Sequence, residues 1–191
     1  QALYGNVTGT PNIGIGYQAG YNNTTGYRNA FLGYQAGYNN TTSIEHTFIG
    51  NYAGFSNSVS GSSTGSSTMI GYYSGYSATT GIQNTFVGAY SGFNVTTGSK
   101  NTILGLYNGN QGGLDIRTAS NYIVLSDGDG NPRGIFDNNG KLLVGGTASG
   151  SGAIRQATSA SGTEPVLQAS NLSTGNQGGI VSALSTGAGT T

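Results

Sequence analysis

Cysteine and tryptophan are absent from this chain, and histidine and methionine occur once each. Without cysteine no disulfide can staple it, and one histidine rules out both a Cys–His pair and a multi-histidine metal site within a single chain. Charge is scarce as well: six basic and six acidic residues among 191 cancel to zero. The cations Arg28, Lys100, Arg117, Arg133, Lys141 and Arg155 are scattered, whereas a phosphate backbone calls for clustered ones, so no nucleic-acid partner is expected. No apolar run approaches the ~20 residues of a membrane-spanning helix, and no membrane insertion is expected.

Carboxylates for acid–base chemistry would have to come from Glu45, Asp115, Asp127, Asp129, Asp137 and Glu164. Of these only Asp127 and Asp129 share a strand face, and they fall in a turn. Glu45 and the lone His46 are neighbours, which point apart on a strand. Asp127-Gly-Asp-Gly-Asn131 has the start of a calcium loop but Pro132 where the sixth-position glycine belongs and Asn138 where the twelfth-position glutamate belongs; a plain hairpin turn is expected. The chain reads as non-enzymatic, with no catalytic set, metal or cofactor.

What is abundant is glycine, 36 residues of it, and it keeps a beat. Gly16, Gly33, Gly50, Gly71, Gly88 and Gly105 are separated by steps of 17, 17, 21, 17 and 17 residues, and a second glycine follows each by four: Gly20, Gly37, Gly54, Gly75, Gly92 and Gly109. Disorder needs no period; a short period repeated this often describes a stack of similar units. A partial copy precedes the first full one, with Tyr4, Gly9 and Asn12 in the phases of Tyr21, Gly26 and Asn29. The extra residues of the third step, within Ser58–Ser67, are expected to bulge as a loop without breaking the stack.

Most units carry two adjacent apolar residues: Phe31-Leu32, Phe48-Ile49, Met69-Ile70, Phe86-Val87 and Ile103-Leu104. Neighbours on a strand face opposite ways, so both faces of these short strands need cover. One face can fill the inside of a coil. A coil of 17 residues, roughly 56 Å around at ~3.3 Å per residue, encloses too little to hide the other, and two identical sister chains are expected to supply that cover. The glycine pairs are read as corners, and the Asn-Thr-Thr-Gly stretches ending at Gly26 and its equivalents as side-chain-bonded turns. The sequons at Asn6, Asn23, Asn40 and Asn94 are by-products of those turns. Asn12, Asn29, Asn84 and Asn101 share one phase, with His46 and Ser67 in the same place, which predicts a hydrogen-bonded ladder along the stack.

Two aromatic phases complete the unit: Tyr21, Tyr38, Phe55, Tyr76 and Phe93 after the second glycine, and Tyr17, Tyr34 and Tyr72 after the first. Packing between coils and chains is their expected role; a platform for sugar rings is the second, and glycan contact is assigned to Tyr21, Tyr38, Phe55, Tyr76 and Phe93. From Leu114 the period stops. Asn121–Ser126, Arg133–Phe136 and Lys141–Val144 read as three strands joined by Asp127–Asn131 and Asp137–Gly140, a short β-meander too small to stand alone. The chain thus divides into a repeat shaft over residues 1–113, a meander over 114–146 and a Gly/Ser/Thr/Ala-rich segment over 147–191, in which 165–169 and 180–184 could be strands. It starts in mid-repeat and ends without a capping segment, which reads as a fragment.

Ile15-Gly-Tyr-Gln-Ala-Gly-Tyr-Asn-Asn-Thr-Thr-Gly26 resembles the repeats of bacteriophage tail fibres, those of marine and cyanobacterial phages in particular, and the run Asn121–Gly146 resembles the meander that follows such repeats. The resemblance covers about residues 1–146. It implies an all-β, elongated β-helix or β-roll of 17-residue coils in a homotrimeric fibre, followed by a β-meander or β-prism-like segment. It also implies a structural protein in the virion tail, extracellular, in contact with other tail proteins and with a host surface glycan or receptor. The Asn-x-apolar-apolar-Gly core is similar to the head repeats of trimeric autotransporter adhesins, although their repeat is shorter. That second resemblance implies a bacterial cell-surface adhesin or extracellular filament subunit.

Overall fold

The structure, a computed structural model, describes residues 1–58 and 65–144. Over these residues the chain is all-β, without a helix, and winds as a parallel β-solenoid. Each coil contributes one short strand: β1 (Asn12–Ile15), β2 (Asn29–Leu32), β3 (Thr47–Ile49), β4 (Thr68–Ile70), β5 (Thr85–Val87) and β6 (Thr102–Leu104). Successive strands pair in parallel, setting Phe31 beside Phe48, Met69, Phe86 and Ile103 in turn. The pairing of β3 with β4 keeps this register across the longer coil, so the added residues leave the stack unbroken. The strands proposed at 165–169 and 180–184, and the segment 147–191 as a whole, lie outside the described residues.

The glycine beat has two physical causes. Gly33 has φ +137 and Gly37 has φ +61, both in the range that side chains disfavour. A Cβ on Gly33 would come closer than 3.0 Å to the carbonyl of Gly50 in the next coil, and one on Gly37 closer than 3.0 Å to the Phe31 ring. One glycine column lets coils approach; the other lets the turn close over the core. Gly109 departs from its column: its φ is +106 and it abuts Val95 rather than its own coil's core residue.

The core is a single file of side chains up the inside. Phe31, Phe48, Met69, Phe86 and Ile103 are fully buried, lined on the turn side by Ala19, Ala36, Ala53, Ala78 and Val95. Beside them runs the expected polar ladder. The backbone N–H of Asn29 donates to Asn12 Oδ1, that of His46 to Asn29 Oδ1 and that of Asn101 to Asn84 Oδ1, each at 2.9 Å. His46 and Ser67 do the same work: Ser67 N–H donates to His46 Nδ1 at 3.2 Å, and Asn84 N–H to Ser67 Oγ at 3.1 Å. A second buried ladder, not read from the sequence, joins Asn23 Nδ2 to Asn6 Oδ1 and Asn40 Nδ2 to Asn23 Oδ1, both at 2.9 Å. Asn23 and Asn40 are fully buried, so their sequons are closed to modification in the folded chain.

The two ladders share acceptors at the corners. Asn12 and Asn23 both donate to the Gly26 carbonyl, and Asn29 and Asn40 both donate to that of Ser43. One coil further on, His46 Nε2 and Asn57 Nδ2 occupy the same places, buried and without a hydrogen-bond partner among the described residues.

The meander is a continuation of the solenoid. β7 (Asn110–Gln111) and β8 (Leu114–Asp115) form a small antiparallel pair, tied down where the buried Tyr107 hydroxyl donates to the Leu114 carbonyl at 2.8 Å. β9 (Ile123–Ser126) then pairs in parallel with β6, setting Val124 beside Ile103 and Leu125 beside Leu104. β10 (Pro132–Phe136) and β11 (Leu142–Val144) follow antiparallel, completing a sheet of nine strands in the order β1-β2-β3-β4-β5-β6-β9-β10-β11. The three-strand piece thus draws its support from the stack itself. Both hairpin turns are closed by an aspartate: Asp127 Oδ1 accepts from the N–H groups of Asp129 and Asn131, and Asp137 Oδ1 from those of Asn139 and Lys141.

Candidate functional site

Two surfaces of the described residues stand out as candidate sites. The first is the outward face of the sheet. Because Phe31 and its equivalents point inward, the residues on either side point out. They form two columns: Ile13, Ala30, Thr47, Thr68, Thr85, Thr102 and Ile123 in one, and Ile15, Leu32, Ile49, Ile70, Val87, Leu104 and Leu125 in the other. The antiparallel strands extend both, with Phe136 and Leu142 beside Ile123, and Gly134 and Val144 beside Leu125. No charged residue occurs in either column. Leu32, Val87, Leu104 and Leu125 are 42, 36, 42 and 45% exposed. The winding of one chain therefore covers one apolar row and leaves the other open, the half-covered state that the paired apolar residues imply. The threonine column escaped the sequence reading, because threonine registers there as a polar residue rather than as a β-branched member of an outward row.

The second surface is an aromatic corner. Tyr4, Tyr21, Tyr38, Phe55, Tyr76 and Phe93 stack one above another at 5.1–5.3 Å with tilts of 4–12°. Rings at this spacing cover each other's faces, and the five residues assigned to glycan contact, Tyr21, Tyr38, Phe55, Tyr76 and Phe93, are all half-buried. What they turn outward is edge. A neighbouring column was not singled out in the sequence: Tyr52, Tyr73 and Tyr90, stacked at 4.7 and 5.6 Å, sit two residues after the first glycine in a left-handed conformation. Gln18 and Gln35 hold that place in earlier coils, joined by a side-chain hydrogen bond of 2.7 Å. Tyr72 stands across the column, 82° to Tyr73 and 89° to Tyr90. Burial among these rings, then the neighbouring tyrosines, raise the pKa of Tyr52 and Tyr72 above the ordinary phenol value. Tyr4, at the first rung of the stack, and Tyr17, Tyr34, Tyr72 and Tyr90 are the exposed members of the corner.

Six of the charged side chains are engaged in ion pairs. Glu45 pairs with Arg28 at 3.1 Å, Asp115 with Arg117 at 2.7 Å, and Asp127 with Arg133. Backbone N–H of Asn131 first, then Arg133 and Asp129, bring the Asp127 pKa down to about 2. The Asp127–Asn131 run thus spends its lead carboxylate on closing a hairpin, in keeping with a plain turn. Among the described residues no group of three or more His, Asp or Glu side chains is arranged to hold a metal ion. His46 is buried in its ladder against Phe48, ring centroids 4.7 Å apart, and burial takes its pKa down to about 4. No helix of the described residues is long and apolar enough to cross a membrane.

Comparison of the chain with protein-family models, with curated proteins and with solved structures gives no match in any of the three.

Proposed function

We propose that this chain is the shaft of a homotrimeric phage tail fibre, a passive rod that carries host-attachment parts away from the virion and performs no catalysis. The observation that carries the reading is the uncharged apolar stripe along the outward face of the sheet. Nine strands at ~4.8 Å make a stripe ~40 Å long and ~10 Å across, on the order of 400 Å². That matches the largest apolar patch of a typical monomer, which is often a functional surface. A dimer closing two such stripes on each other would bury about half of the ~800 Å² per partner that a standard interface needs. Three chains around an axis bury the flanks of each stripe as well, which favours a trimer. The same unit repeated at a fixed pitch supports a stiff spacer, and the resemblance of Ile15–Gly26 to tail-fibre repeats supports the virion. Host glycan contact, in this reading, belongs to the exposed tyrosines of the corner and not to the occupied faces of the stacked column.

Gold-labelled antibody against the chain, imaged on particles and on cells from the same culture, tests the assignment. Label along fibres projecting from phage tails is the expected result. Label confined to bacterial envelopes would overturn it in favour of the surface adhesin, which shares the trimer.

A further inference from the structure

A stack of like rungs has a register problem. Over β3 to β6 the outward pair reads Thr47 and Ile49, Thr68 and Ile70, Thr85 and Val87, Thr102 and Leu104. Sliding one chain past another by a single rung sets threonine and aliphatic residues against partners of the same class as before. The repeats themselves therefore discriminate weakly between registers. A uniform fibre needs a feature that occurs at one height only.

The two outward columns contain one aromatic residue, Phe136, and one glycine, Gly134, and both are on β10. Phe136 is 41% exposed. Gly134 leaves a notch: a Cβ there would meet only Leu125 of the adjoining strand, at 3.7 Å. About a three-fold axis parallel to the stack, one column of each chain lies beside the other column of its neighbour at the same height. The knob of one copy then faces the notch of the next at this rung alone. Resting on the trimeric reading above, we propose that Phe136 of each chain seats over Gly134 of its neighbour and that this contact fixes the axial register of the three chains.

The chain has no cysteine, so introduced thiols report cleanly, and a disulfide tolerates only ~4.4–6.8 Å between α-carbons. Thr102→Cys chains are co-assembled with Leu104→Cys chains, an in-register pair, or with Val87→Cys chains, a pair one rung out. With Phe136 and Gly134 in place, only the first mixture should form intermolecular disulfides. With Phe136→Ala, or with Gly134→Ala to fill the notch, both mixtures should form them in comparable yield, at unchanged far-UV circular dichroism. Bridging restricted to the first mixture in both variants would overturn the proposal, as would bridging in both mixtures with Phe136 and Gly134 intact, or in neither at trimer mass. A single-chain mass for the unsubstituted protein would instead sink the trimeric reading, so the two failures are distinguishable.

Discussion

At the scale of single residues, the fold is held by positions where one atom more is too many. Gly33→Ala combines a φ of +137 with an overlap against the next coil's carbonyl, and should cost about 2–4 kcal/mol, read as a lowered urea midpoint. His46 makes a second, pH-dependent prediction. Burial holds its folded pKa at about 4, below the ordinary imidazole value of 6.5, so the unfolded chain binds this proton first. Stability is therefore complete above about pH 6.5 and falls as the pH drops toward 4; below that the folded state takes up the proton as well and the slope ends. The loss amounts to about 3 kcal/mol at ~1.4 kcal/mol per pK unit. His46→Asn, which puts the usual ladder residue in place, should flatten the fall of the urea midpoint between pH 7 and pH 4; an unchanged slope would contradict the assignment. The ladder itself was legible because Asn12, Asn29, Asn84 and Asn101 repeat one phase. The second ladder was not, because its asparagines give way to Ala78 and Val95 in later coils, where apolar contact replaces amide pairing.

At the scale of elements, the strands could be read from the sequence because each pairs an inward aromatic or aliphatic residue with an outward aliphatic one. The seventh parallel rung could not. Leu104 to Leu125 is a step of 21 residues, lengthened by the β7–β8 hairpin, and Ser126 stands where earlier rungs have glycine. The meander is legible in the sequence from Asn-Gly beside alternating apolar residues, but its docking onto β6 depends on backbone pairing that no local pattern announces. Direction also escaped the sequence. Two adjacent apolar residues require cover on both faces, yet only the structure tells which row faces in. Leu32 and Val87 prove to be the outward ones. Leu32→Asp and Val87→Asp should therefore leave the single-chain fold intact by circular dichroism while preventing assembly, since a carboxylate would be desolvated without a partner. Loss of β signal in these variants would place the residues inside, and normal assembly would place the interface elsewhere.

For the whole molecule, the described residues carry a nine-stranded sheet and a small two-stranded one, and two ordered surfaces run along the stack, an apolar stripe on the large sheet and an aromatic corner at the turns. Composition alone, rich in glycine and poor in charge, points toward disorder; periodicity reverses that inference. The aromatic phases were visible in the sequence, but their mutual stacking was not. Stacking decides what the rings offer, because a column that covers its own faces is a packing element first. The stripe is what sets the proposed reading, in which each chain leaves exposed a row of side chains that its sisters cover.

The central claim is that sister chains cover this stripe. Sedimentation equilibrium of the purified chain, over a range of concentrations, tests it most directly. The account predicts a single species at three times the 19.2 kDa chain mass, whereas a stable, folded species at the mass of one chain would contradict it.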